Sequence, residues 1–158
     1  MRALIIAYGN TDRQDDGVAW HVLRDLAARM GGELPNAPQE GADITLPGVE
    51  LRYMLQLTPE IADDFAAFER VVFIDAHTGA HPDDIHVEAI SALYQASPLT
   101  HHLTPASCLA IAQALHGNVP EAILVSIRGY QFGFETHLSP HTAALVPVAT
   151  QAILEWLR

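Results

Sequence analysis

Apolar residues along this chain follow two rhythms. Ala3-Leu4-Ile5-Ile6-Ala7-Tyr8, Val71-Val72-Phe73-Ile74 and Ala122-Ile123-Leu124-Val125-Ser126-Ile127 are short continuous runs. Such runs read as strands buried on both faces. Val49 to Leu55 alternates apolar and polar at first, as an outer strand would, and Ile85 to Ile90 predicts another strand. The second rhythm is helical. Val18, Val22 and Leu26, with Ala19 and Leu23 beside them, predict a helix from Val18 to about Met30, ended by Gly31-Gly32. Thr58-Pro59, Thr104-Pro105 and Ser139-Pro140 each place a capping hydroxyl before a proline suited to the first helical position. The helices they open are expected to reach about Phe68, His116 (with Gly117 as the stop) and Leu157. Glu33 to Gly48 carries Pro35, Pro38, Pro47, Gly41 and Gly48 and reads as one long loop, a candidate functional or insertion segment.

Strands alternating with helices predict a three-layer α/β/α sandwich with a mainly parallel or mixed central sheet. At 158 residues it is expected to be one domain, 1–158. A hydrophobic content of 49% against 17% charged residues argues against disorder. The net charge of −11, from 19 acidic and 8 basic residues, disfavours nucleic acid and anionic membrane surfaces as partners. Cys108 stands alone, so no internal disulfide is possible and a reducing compartment suits the chain. With no signal-peptide layout at Met1-Arg2-Ala3-Leu4 and no apolar run near ~18 residues, a cytoplasmic location is expected.

The candidate chemistry begins in Gly9-Asn10-Thr11-Asp12-Arg13-Gln14-Asp15-Asp16-Gly17, which joins the first strand to the first helix. One acidic residue at a helix start is favoured by the helix dipole, but two adjacent carboxylates repel each other. They stand just beyond a buried strand, where open α/β sheets bind ligands. The third strand delivers Asp75, and right-handed crossovers bring the loops after the first and third strands to one sheet edge. Asp16 and Asp75 are therefore expected to converge. His101 joins them if its helix packs with the N-terminus at that edge. Two carboxylates and an imidazole suit a divalent ion such as Ni or Zn. Other readings carry less. His77 and His81 could bind an ion with Asp75, although exposed loop histidines are the simpler account. Cys108 reads as a small core residue rather than a nucleophile paired with His101 or His102. Ser126 lacks a Gly-x-Ser-x-Gly elbow, and Glu135 could line the cleft without a defined role. No His-Glu-x-x-His occurs.

Taken in order, these motifs resemble the hydrogenase maturation proteases. The resemblance rests on Gly9-Asn10 followed by Asp15-Asp16-Gly17, on Val71-Val72-Phe73-Ile74-Asp75-Ala76, on Gln56-Leu57-Thr58-Pro59-Glu60, and on His101-His102-Leu103 before an Ala/Leu-rich helix. It implies a phosphorylase/hydrolase-like fold and an endopeptidase that removes a C-terminal extension from the nickel-loaded large-subunit precursor of a [NiFe] hydrogenase. It further implies that Asp16, Asp75 and His101 are the catalytic, metal-contacting set; Leu103 favours His101 over His102. The nickel is carried by the substrate, with Zn or Cd as surrogates in vitro, and the expected protease is a monomer. Two departures stand out: Ala7-Tyr8 precedes Gly9, and Ala19-Trp20 follows Gly17, where the family often has Gly. They motivate an alternative, a non-proteolytic adaptor or chaperone for the metallated subunit. A hydrolase with its own metal ion is a third reading.

Overall fold

The computed structural model describes residues 2–38, 42–95 and 103–158. Six strands form one sheet in the order β2-β3-β1-β4-β6-β5. They are β1 (Ala3–Tyr8), β2 (Asp43–Leu46), β3 (Val49–Met54), β4 (Arg70–His77), β5 (Ile85–Ile90) and β6 (Glu121–Arg128). The four central strands run parallel, and β2 and β5 add antiparallel edges. The expected mainly parallel sheet is therefore correct, and its purely apolar runs are the strands with both faces covered.

One face carries α1 (Val18–Arg29) and α3 (Pro140–Leu157) over Ile5, Ala7, Val72, Ile74, Val125 and Ile127. The other carries α2 (Pro105–His116) and the 3₁₀ segment Pro59–Ala67 over Leu4, Ile6, Val71 and Phe73. Each fully buried Leu, Ile or Phe contributes about 1.5–3 kcal/mol by leaving water, so these two layers hold the sheet between them. Trp20 is buried edge-on against Tyr53, ring centres 5.0 Å apart, which ties α1 to β3. Phe65 meets Phe73 the same way at 6.0 Å on the opposite face.

Three expectations need correction. Glu33–Gly48 is not all loop, because Asp43–Leu46 forms β2, paired in register with β3 through a hairpin at Pro47-Gly48. Its period-2 pattern was present but short and flanked by Gly and Pro. Ile44 and Leu46 turn inward so closely that a Cβ on Gly32 would lie 2.9 Å from both. Consequently β3 is not an outer strand. The segment opened by Thr58-Pro59 is 3₁₀ rather than α, and the Thr58 side chain makes no capping bond. Lastly, Asp75 lies inside β4, which continues to His77. By contrast Thr104 does cap α2, accepting from the Ser107 N–H at 3.2 Å, and Gly117 ends it with a left-handed φ of 83°.

Candidate active site

The chain leaves β1 toward β3 on one side and then returns to lay β4 on the other. The carboxyl ends of β1 and β4 thus flank the point where strand order reverses, the usual ligand crevice of such sheets. Asp16 reaches it from the loop after β1, and Asp75 from within β4, two residues before its end.

That loop is a kinked 3₁₀ segment, Thr11–Gly17, shaped by three local constraints. Asn10 accepts from the Asp12 N–H at 2.9 Å and starts the turn. Gly9 adopts φ 143°, and a Cβ there would fall 2.2 Å from the Asp16 carbonyl oxygen, so only glycine allows the loop to fold back this far. Gln14 is buried with φ 54°, a conformation rarely adopted by side-chain-bearing residues. It is held by long-range bonds: its N–H donates to the Glu135 carbonyl at 2.8 Å, and its amide oxygen accepts from the Gly133 N–H at 3.2 Å.

The two adjacent carboxylates part company here. Asp15 is fully buried and accepts from the backbone N–H groups of Tyr130 (2.8 Å), Gln131 (2.9 Å) and Ser139 (2.8 Å), and from the hydroxyls of Ser139 (2.6 Å) and Thr142 (2.9 Å). It sits at the N-terminus of α3, where the helix dipole favours an anion. Burial alone would raise its pKa, but the bonds from Ser139, Gln131 and Tyr130 outweigh that and hold it below the usual carboxylate range. Asp15 is thus a structural anchor, serving α3 rather than the first turn of α1.

Asp16 faces the other way. Its Oδ2 accepts from the Asn10 N–H at 2.9 Å, and the residue lines a cleft of about 620 Å³ together with Asp75, Tyr8, Gly9, Asn10 and Gln56. Asp75 accepts from the Ala76 N–H at 2.7 Å and has the Tyr8 hydroxyl as side-chain partner. Its pKa is raised to about 7: burial pushes it up, the Ala76 N–H bond opposes this, the nearby Asp16 charge adds to the rise, and the Tyr8 bond acts against it. Tyr8 is raised as well, by burial first and then by Asp75. Tyr8 was absent from the sequence-based set; its only signal was its place at the end of β1, one residue beyond the Ala7–Ile74 pair with β4.

His101 and His102 lie outside the described residues. Leu103, Thr104 and Pro105, which follow them, line the same cleft. Asp75, His77 and His81 do not form a shared ligand set among the described residues. The ring nitrogens of His77 serve its own loop: Nδ1 accepts from the Gly79 N–H at 3.2 Å, and Nε2 pairs with the Asp83 carbonyl at 3.0 Å. Cys108 is buried and its thiol is pushed up to about 12, which removes it as a nucleophile. Glu135 is exposed and pairs with His137 at 3.0 Å instead of lining the cleft.

No protein-family model and no curated protein sequence matches the chain. Solved structures do. The hydrogenase maturating endopeptidase HybD from E. coli superposes with a TM-score of 0.73 at 19% identity, over 100% of this chain and 93% of that one. The [NiFe] hydrogenase maturation protease HybD from Thermococcus kodakarensis gives 0.68 at 20% identity, covering 100% of both chains. A hydrogenase 2 maturation peptidase from a Thaumarchaeota archaeon gives 0.64 at 20% identity, over 99% and 98%. The chain is an α/β protein with a cleft at the sheet's switch point. Its fold is that of the hydrogenase maturation proteases. No helix among the described residues is long and apolar enough to cross a membrane.

Proposed function

We propose that this protein is a hydrogenase maturation endopeptidase that removes the C-terminal extension of a nickel-loaded [NiFe] hydrogenase large-subunit precursor. The observation that carries this reading is the meeting of Asp16 and Asp75 in one cleft at the switch point, in a fold shared along its whole length with proteases of that name. Asp16, Asp75 and His101 are the residues offered to the nickel borne by the substrate. Carboxylate oxygens and an imidazole suit such a borderline divalent ion. A metal held against a peptide can polarise its carbonyl or acidify a water.

The chain's own groups have defined tasks. The Asn10 N–H fixes one oxygen of Asp16 and so aims the carboxylate across the cleft. Asp75, with its pKa near 7, exchanges a proton close to neutrality, and the Tyr8 hydroxyl holds it in place. An arriving dication converts the unfavourable proximity of two carboxylates into a favourable one, which favours the metallated precursor over the empty one. Leu57, Leu103 and Leu124 give the cleft apolar walls for a peptide tail.

The test is incubation with a nickel-loaded, tailed precursor beside the nickel-free form. Cleavage of the loaded form alone supports the reading. Stable capture of the precursor without cleavage favours the adaptor reading. Cleavage of both forms removes nickel as the trigger.

A further inference from the structure

A second cluster of metal-ligating side chains lies on the same sheet face, away from the cleft. His81, His86 and Glu88 offer ligand atoms that all lie within 4.8 Å of one another. We propose that these three residues form a site for a borderline divalent transition ion, Zn²⁺ or Ni²⁺, distinct from the Asp16–Asp75 cleft. The proposal is independent of the protease reading.

The geometry arises from strand and loop together. His86 and Glu88 are two apart on β5, so their side chains share one face, and His86 Nε2 lies 3.7 Å from a Glu88 oxygen. His81 comes from the β4–β5 loop and stacks on His86, ring centres 3.9 Å apart and planes within 11°. The loop is fastened from both ends. His77 bonds to the backbone at Gly79 and Asp83, and its ring stands edge-on to that of His81 at 5.1 Å. On the far side Asp84 bonds to the Tyr130 hydroxyl and to His141. His81 is therefore presented to β5 by a braced turn.

Two imidazoles and a carboxylate are the ligand set of open zinc sites, where a fourth position is left to water or substrate. Metal–ligand bonds of about 2.0–2.1 Å in tetrahedral array separate the donor atoms by roughly 3.3 Å. The rings of His81 and His86 are stacked, so binding turns one imidazole out of the stack and draws together donor atoms that lie within 4.8 Å of one another. The set excludes Mg²⁺ and Ca²⁺, which require oxygen ligands. Register separates this site from the cleft: His86 pairs with Ser126, and Ser126 pairs with Asp75. Two strand spacings, roughly 10 Å, lie between them.

The experiment is calorimetric titration of the tag-free full chain with Zn²⁺ and with Ni²⁺ alone, in parallel with His86→Ala, Glu88→Gln and Asp75→Asn. At this cluster one ion is expected per chain, counted as the binding kept in Asp75→Asn, with affinity reduced at least about tenfold in His86→Ala and Glu88→Gln. Circular dichroism of each variant guards against misfolding, and Co²⁺ absorption reports whether the bound ion is tetrahedral. No binding by the unaltered chain at micromolar ion overturns the proposal. So does binding that survives His86→Ala but is lost in Asp75→Asn, which assigns the ion to the cleft. Because cleavage is not read, a failed protease assay leaves this result standing.

Discussion

Asp15 and Asp16 are the same residue type, one peptide bond apart, yet they belong to different parts of the molecule's physics. Asp15 is sealed from water and saturated with five hydrogen bonds from residues 130 to 142. Asp16 opens onto a cleft, with a backbone N–H steadying one oxygen. Adjacent residues in this kinked segment point in opposite directions, so one carboxylate locks the loop and the other is displayed by it. A carboxylate can be held ready for a ligand only if its backbone cannot move, and the neighbouring residue supplies that rigidity. Position in a motif does not disclose role. The number and burial of the donors around each oxygen does.

That contrast can be broken at Asp15. Asp15→Asn keeps the shape but removes the charge and presents an N–H₂ to groups that already donate, at a cost of about 3 kcal/mol. The melting temperature should fall by about 10 °C for a chain of this size, and calorimetry checks it. Asp16→Asn should do the reverse. Thermal stability stays within about 0.5 kcal/mol of the unaltered chain, while processing of the nickel-loaded precursor falls on the order of 100-fold. Equal loss of stability in both variants would erase the distinction drawn between them.

Gly9→Ala tests the loop from outside either carboxylate. A Cβ 2.2 Å from the Asp16 carbonyl must push the segment away, at an estimated 1–3 kcal/mol of strain. Processing and stability should fall together. Chemical-shift changes confined to residues 9–17 would check that the displacement is local.

The smallest effect sharpens the comparison by pH. Asp75 has a folded pKa of about 7, above the unfolded value near 3.9, so the folded state holds a proton that the unfolded chain releases. Its contribution to stability is present below about pH 4 and is lost as pH rises through about 7. Asp15, lowered in the folded state, has the opposite slope: its contribution is present above the unfolded pKa and disappears on acidification. Asp75→Asn should flatten the decline between about pH 5 and 8 and raise the melting temperature at pH 8 by a few degrees. An unchanged pH profile would mean that Asp75 is ionised throughout.

Much of the architecture was legible in local pattern. The purely apolar runs marked β1, β4 and β6, because strands covered on both faces have no polar side to show. Proline after Thr104 or Ser139 marked the starts of α2 and α3, although of the two only Thr104 caps through its side chain. The hairpin strand β2 was missed because an edge strand with one inward face needs few apolar residues, here Ile44 and Leu46, and turn residues surround it.

Within the site, sequence determined which groups could act: Gly9 and the paired aspartates after one buried strand, and Asp75 in another. The sequence pattern alone also settled the order of α1, α2 and α3 and of every strand except β2, since periodicity is set by neighbours a few residues away. The choice of Asp16 was made on sequence, but the physical reason that Asp15 turns away from the cleft lies in the tertiary structure, because Asp15's partners are 115 to 127 residues further along the chain. The same holds for Tyr8, brought beside Asp75 by parallel pairing of β1 with β4, and for His81, stacked on His86 across a turn. Burial, charge repulsion and hydrogen-bond saturation depend on what surrounds an atom in space. Those surroundings come into being only when distant segments pack.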